Sequence, residues 1–124
     1  MSDERTYTVD EANAMLPELR ERLARIREAR QVLLRTAEKI RGSVTADGGG
    51  VAGEPEYFDA KRLLAEEIER FAEQNILLRD PEIGLLDFPG ELDGRSVYLC
   101  WRADEDRVAH WHELTSGFAG RRPL

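Results

Sequence analysis

The sequence predicts an α+β fold: a long, coiled-coil-like antiparallel helical hairpin followed by a small antiparallel β-meander of three or four strands. Two observations carry that expectation. Residues 8–75 repeat apolar side chains at helical spacing, broken once by a glycine-rich stretch; residues 76–114 replace that rhythm with short apolar runs separated by turn residues.

The first helix opens at Val9, because Thr8 and Glu11 stand at the spacing of a capping box. Pro17 has no amide hydrogen for the Asn13 carbonyl, so the helix either kinks there or ends near Met15 and restarts at Pro17. From there it runs without a breaker to Arg41. Val9, Ala12, Leu16, Leu19, Leu23, Ile26, Leu33, Ala37 and Ile40 alternate spacings of three and four, a heptad seam interrupted by Arg30. Glu18 with Arg22 and Glu21 with Arg25 read as surface pairs worth about 0.3–0.5 kcal/mol each.

Residues 42–55 hold five of the ten glycines and read as a flexible connector. Their glycine triplet, residues 48–50, is followed by no Lys-Ser or Lys-Thr and preceded by no strand, so it is a helix breaker rather than a phosphate loop. A second helix, residues 56–75, places Tyr57, Leu64, Ile68 and Phe71 on one stripe. Its acids face the arginines of the first helix: residues 1–41 carry nine basic and eight acidic groups, residues 42–75 three and eight. Two narrowly apolar helices of this kind are stable only when packed together.

The strands are read at "ILLRD", "GLLDF", "SVYLCWR" and "RVAHWHE", with turns at Asp80-Pro81, Pro89-Gly90, Asp93-Gly94 and residues 104–106. Residues 115–124 form a tail, and residues 1–124 are expected to make a single domain.

Composition excludes several classes of function. A net charge of −7 argues against a nucleic-acid binder. No apolar run is long enough for a membrane helix, and "MSDERTYTVDEAN" is unlike a signal peptide, so a cytoplasmic location is expected. One cysteine cannot form an internal disulfide, which fits a reducing compartment.

The chemistry-bearing residues crowd into "YLCWRADEDRVAHWHEL", residues 98–114, which holds the only cysteine, both tryptophans and both histidines. Closing a hairpin over residues 103–106 pairs Cys100 with Ala109 and Val97 with His112. That register puts Val97, Leu99, Trp101, Val108, His110 and His112 on one face, and Tyr98, Cys100, Ala109, Trp111 and Glu113 on the other; a one-residue bulge reverses it. His110 and His112 point the same way and could supply two imidazoles to zinc or iron, with a carboxylate such as Glu11 or Asp10 arriving from the helix. The plainer alternative is two partly buried histidines bonded to backbone carbonyls. Cys100, between Leu99 and Trp101, reads as a small buried apolar residue rather than a nucleophile. Trp101 and Trp111 read as core rather than a stacking platform, and no basic groove surrounds them. Ser116, His112 and Glu113 make no hydrolytic triad, because adjacent strand residues face opposite sides. In "SGFAGRRPL", Arg121 and Arg122 read as a solvated basic tail, the alternative being a tail that folds back near Glu113 or holds an anion.

The opening Glu11, Ala12, Asn13, Leu16 and Pro17, the "DFP" of Asp87, Phe88 and Pro89, the "LCW" of Leu99, Cys100 and Trp101, the "WHE" of Trp111, His112 and Glu113, and the "GFAGR" of residues 117–121 together resemble the prokaryotic family catalogued as domain of unknown function 2203. The resemblance spans essentially the whole chain and implies a fold without an activity. In the family pattern the place of His110 is commonly another aromatic, so the resemblance supports no two-histidine pair. His112, Glu113, Cys100 and Arg121 match family words and form the candidate functional patch.

With no catalytic motif, the sequence reads as a small interaction protein, leaning away from an enzyme, that self-associates as a homodimer through its helices. The alternative is a metal or small-ligand site centred on His112 and Glu113, with His110 as a further candidate ligand.

Overall fold

A computed structural model of the chain describes residues 5–44 and 55–124. Helix α1 (Val9–Val44) and helix α2 (Pro55–Gln74) precede five strands, β1 (Leu77–Asp80), β2 (Leu85–Leu92), β3 (Arg95–Arg102), β4 (His110–His112) and β5 (Arg122–Pro123). The strands form one antiparallel sheet in the order β1-β2-β3-β4-β5. The expected connector over residues 42–55 lies outside the described residues except at its ends, where α1 continues to Val44 and α2 opens at Pro55.

The capping box forms as the spacing requires: the Thr8 amide donates to Glu11 Oε1 at 2.8 Å, and the Glu11 amide to Thr8 Oγ1 at 3.0 Å. α1 then runs through Pro17 without ending near Met15. Its 36 residues span about 54 Å, against about 30 Å for the 20 residues of α2.

Contacts between the helices run in opposite senses along the chain. The Tyr7 hydroxyl, just before α1, donates to the Gln74 carbonyl; Arg70 pairs with Glu18, and Arg22 with Glu67. Arg22 corrects the surface-pair reading in part: its pair with Glu18 forms at 3.5 Å, but Arg22 does not lie on the surface. It is fully buried, its Nε 2.6 Å from Glu67 Oε1 and its Nη1 2.9 Å from Gln74 Oε1, with the guanidinium over the Phe71 ring. The apolar stripe of α2 is corrected too: Ala60, Glu67 and Phe71 are buried while Ile68 is exposed. A helix face centred on Glu67 rather than Ile68 is what Arg22 selects, because a buried guanidinium requires a carboxylate opposite it.

One face of the sheet meets the helices. Leu86, Phe88, Val97, Leu99 and Trp101 pack with Ala12, Leu16, Leu19, Leu23 and Ile26 in one core cluster. The alternating residues Asp87, Tyr98, Cys100, His110 and His112 lie on the other face.

Three expectations about the strands need correction. Among the described residues the sheet has five strands rather than three or four, because the tail supplies β5. Pro89-Gly90 is no turn but lies inside β2, at a level where β1 no longer pairs, so the missing proline amide breaks no ladder; the Pro89 carbonyl takes the Tyr7 amide at 2.7 Å. The β3–β4 register is shifted by one residue, Cys100 pairing with His110 and Tyr98 with His112. The cause is Val108, which is buried in the core and whose amide donates to Asn13 Oδ1 of α1 at 2.7 Å instead of joining a ladder. The Asp93-Gly94 turn forms as read, both residues at positive φ (50° and 78°), which suits a two-residue hairpin.

Candidate metal centre

The one-residue shift decides the chemistry of the sheet's outer face. Asp87 opposes Cys100 across β2 and β3, and His112 is on the same face one strand further. Their relative exposures are 3%, 0% and 1%, although the helices lie on the opposite side. Burial here comes from the chain after β4. Leu114, Thr115, Gly117 and Phe118, with Arg79 and Leu85, wall a cleft of about 350 Å³ whose floor is Asp87, Cys100 and His112.

One ligand atom from each of the three residues lies within 4.8 Å of the others. The His112 ring is held from both sides. Its Nδ1 lies 2.7 Å from the Glu113 carbonyl oxygen and its Nε2 lies 3.0 Å from Asp87 Oδ1. A carbonyl oxygen only accepts, so Nδ1 carries a proton, and in the neutral ring Nε2 then presents a lone pair to a carboxylate. Two acceptors that face each other require a proton or a metal cation between them. A backbone carbonyl fixing one ring nitrogen while the other faces a carboxylate is also how ligating histidines are oriented.

Asp87 Oδ2 is taken by Arg79 Nε at 2.9 Å, which leaves Oδ1 aimed at the cluster. A bulge puts Arg79 there: Leu78 pairs with Leu86 and Asp80 with Leu85, so Arg79 has no partner of its own across the ladder. Burial, then the nearby Asp87 charge and a hydrogen bond to that carboxylate, push the Cys100 thiol up to about 12. Without a cation beside it Cys100 stays a thiol, and it bonds to Asp87 directly rather than through the His112 ring. That is not the order of a nucleophilic triad, in which the acid holds the ring nitrogen remote from the nucleophile.

The remaining patch residues go elsewhere. The Glu113 carboxylate pairs with Arg95 at 3.2 Å, and only its backbone carbonyl serves the cluster. Glu11 belongs to the cap of α1, so the carboxylate expected from the helix comes instead from β2. His110 Nδ1 accepts from Arg121 Nη2 at 3.0 Å, and the same nitrogen of Arg121 reaches both Glu105 oxygens at 2.7 and 2.8 Å. Burial alone would raise the Glu105 carboxyl, but the Arg121 bonds, the Arg102 amide and neighbouring positive charge outweigh it and hold its pKa below the usual value. Arg121 therefore pins the tail beside Cys100, whose carbonyl it also approaches at 3.4 Å; it is not a solvated basic residue. Arg122 remains exposed, its guanidinium over Trp111.

Asp87 was not among the residues the sequence singled out for a site. Its signal is an acid inside the apolar run "GLLDF", in step with Leu85 and out of step with Leu86 and Phe88.

The family model described as uncharacterized conserved protein, DUF2203, matches residues 5–124. The chain belongs to that family. The match takes in the DUF2203 segments that supply Asp87, Cys100, His112 and the overlying tail. No curated protein and no solved structure matches the chain. Among the described residues, no helix is long and apolar enough to cross a membrane.

Proposed function

We propose that this protein binds a divalent transition metal through Asp87, Cys100 and His112, with zinc the best fit to the donors. The observation that carries the reading is the orientation of His112, whose Nδ1 hydrogen goes to the Glu113 carbonyl while Nε2 faces Asp87 Oδ1. One carboxylate, one thiolate and one imidazole form a mixed O/S/N set suited to zinc, and iron(II) is the next candidate. Tetrahedral coordination would separate the donor atoms by about 3.3–3.6 Å, so the cluster needs only a small adjustment to close on an ion. Binding would expel the Cys100 proton to solvent. The proposed centre is therefore Asp87 and Cys100 with His112, rather than the Glu113 or His110 side chains. Titration of zinc into metal-free protein against a chromophoric chelator tests it: one site lost in His112→Gln supports the reading, and no competition with the chelator refutes it.

A second reading concerns the helices, for which self-association remains our proposal. Leu34, Phe58 and Ile68 are 62%, 45% and 63% exposed on α1 and α2, apolar side chains that a second copy could cover. Light scattering at high micromolar concentration that gave a monomer would remove this reading.

A further inference from the structure

Three adjacent strands supply the donors, and the side of the cluster that no strand closes is the cleft under residues 114–118. Among the described residues, no further His, Cys, Asp or Glu joins the cluster. Other cleft walls are apolar at Leu85, Leu114 and Phe118, and polar at Thr115 and Arg79. Structural zinc sites are closed by four protein ligands, whereas three ligands and a free position is the pattern of sites that receive an outside molecule.

Charge then selects the molecule. Asp87 carboxylate and Cys100 thiolate neutralise a divalent ion, neutral His112 adds nothing, and Arg79 leaves the centre at +1. Leu114 and Phe118 are 51% and 39% exposed, so the cleft opens to solvent, and a small anion entering it meets this residual positive charge. Arg79 gives Asp87 its Nε, and its side chain is 43% exposed, with further N–H donors in a planar fork suited to a carboxylate. The cleft volume of about 350 Å³ is at the small end for ligand sites.

Resting on the metal reading above, we infer that the centre keeps one coordination position open to the cleft and takes there a small monoanionic carboxylate, whose charge is met by the ion and by Arg79.

Cobalt(II) loaded in place of zinc makes the position visible. The thiolate-to-metal absorption reports that Cys100 ligates, and the d–d bands report the fourth ligand. Titration with sodium acetate is expected to shift the d–d bands saturably while the thiolate band persists. Acetate affinity should fall about tenfold in Arg79→Gln and recover to within a few-fold of wild type in Arg79→Lys. A thiolate band with d–d bands that no anion moves would overturn the open position and leave the metal reading standing. Response to inorganic phosphate but not to acetate would overturn the carboxylate assignment. Equal acetate affinity in wild type and Arg79→Gln would overturn the role of Arg79. Absence of any cobalt spectrum would overturn the metal reading and this inference together.

Discussion

His112 Nε2 lies 3.0 Å from Asp87 Oδ1, on the face of the sheet turned away from both helices. Neither residue is there to fill the main core, since Leu86, Phe88, Leu99 and Trp101 do that on the other face. The pair is buried because residues 114–118 fold over it, and burying a polar side chain is costly unless hydrogen-bond partners meet it.

In metal-free protein, where a proton lies between Nε2 and Oδ1, replacing His112 by alanine should therefore cost about 2–4 kcal/mol in urea unfolding, since it opens a cavity and leaves Asp87 with Arg79 and the Cys100 thiol alone. His112→Gln, which keeps an amide donor, should lose less. Equal losses in the two variants would mean that volume, not the carboxylate, sets the cost.

Cys100 should be inert in the native, metal-free chain. Burial and the Asp87 charge raise its pKa to about 12, so at pH 8 the thiolate fraction is roughly three orders of magnitude below that of an ordinary cysteine. Iodoacetamide labelling followed by mass spectrometry should be negligible at pH 8 and complete in urea. Rapid labelling of the native chain would show an accessible thiolate.

Arg22 and Glu67 form a buried pair whose members depend on each other. Glu67→Ala should destabilise by about 3–5 kcal/mol, because the buried guanidinium keeps only Gln74 and the longer pair to half-exposed Glu18. Arg22→Met combined with Glu67→Leu should lie within about 1–2 kcal/mol of wild type or above it. A chemical-denaturation double-mutant cycle measures both, and an additive result would deny the coupling.

Glu105 makes stability depend on acid. Burial opposes its charge, but Arg121 and the Arg102 amide outweigh that and lower its folded-state pKa below 4.5. As the pH falls, the unfolded chain takes up this proton first. The Glu105 contribution is fully present above about pH 4.5 and is lost as the pH drops through the folded-state value. The stability difference between wild type and Glu105→Gln should therefore shrink between pH 6 and pH 3. A constant difference would mean that Arg121 does not act through the charge.

The parts legible in the sequence were those set by neighbours along the chain: the Thr8–Glu11 cap, the Asp93-Gly94 turn and the change of period after Asn75. What escaped depends on contacts distant in sequence. The β3–β4 register follows from Val108 bonding to Asn13, 95 residues away, and Arg22 looks like any exposed helix arginine until Glu67 is opposite it. Within the candidate site, His112 and Cys100 drew attention by residue type. Asp87 did not, because its outer-face position matters only once the tail has covered that face.

Metal content tests the central claim most directly. Protein expressed without a histidine tag, desalted and analysed by plasma mass spectrometry should carry about one equivalent of zinc or iron per chain. Asp87→Asn, Cys100→Ser and His112→Gln should each lose most of it while keeping a folded circular-dichroism spectrum. Wild-type protein that carries no stoichiometric metal and takes up none on dialysis against zinc would contradict the metal centre, leaving Asp87, Cys100 and His112 as a buried hydrogen-bond cluster.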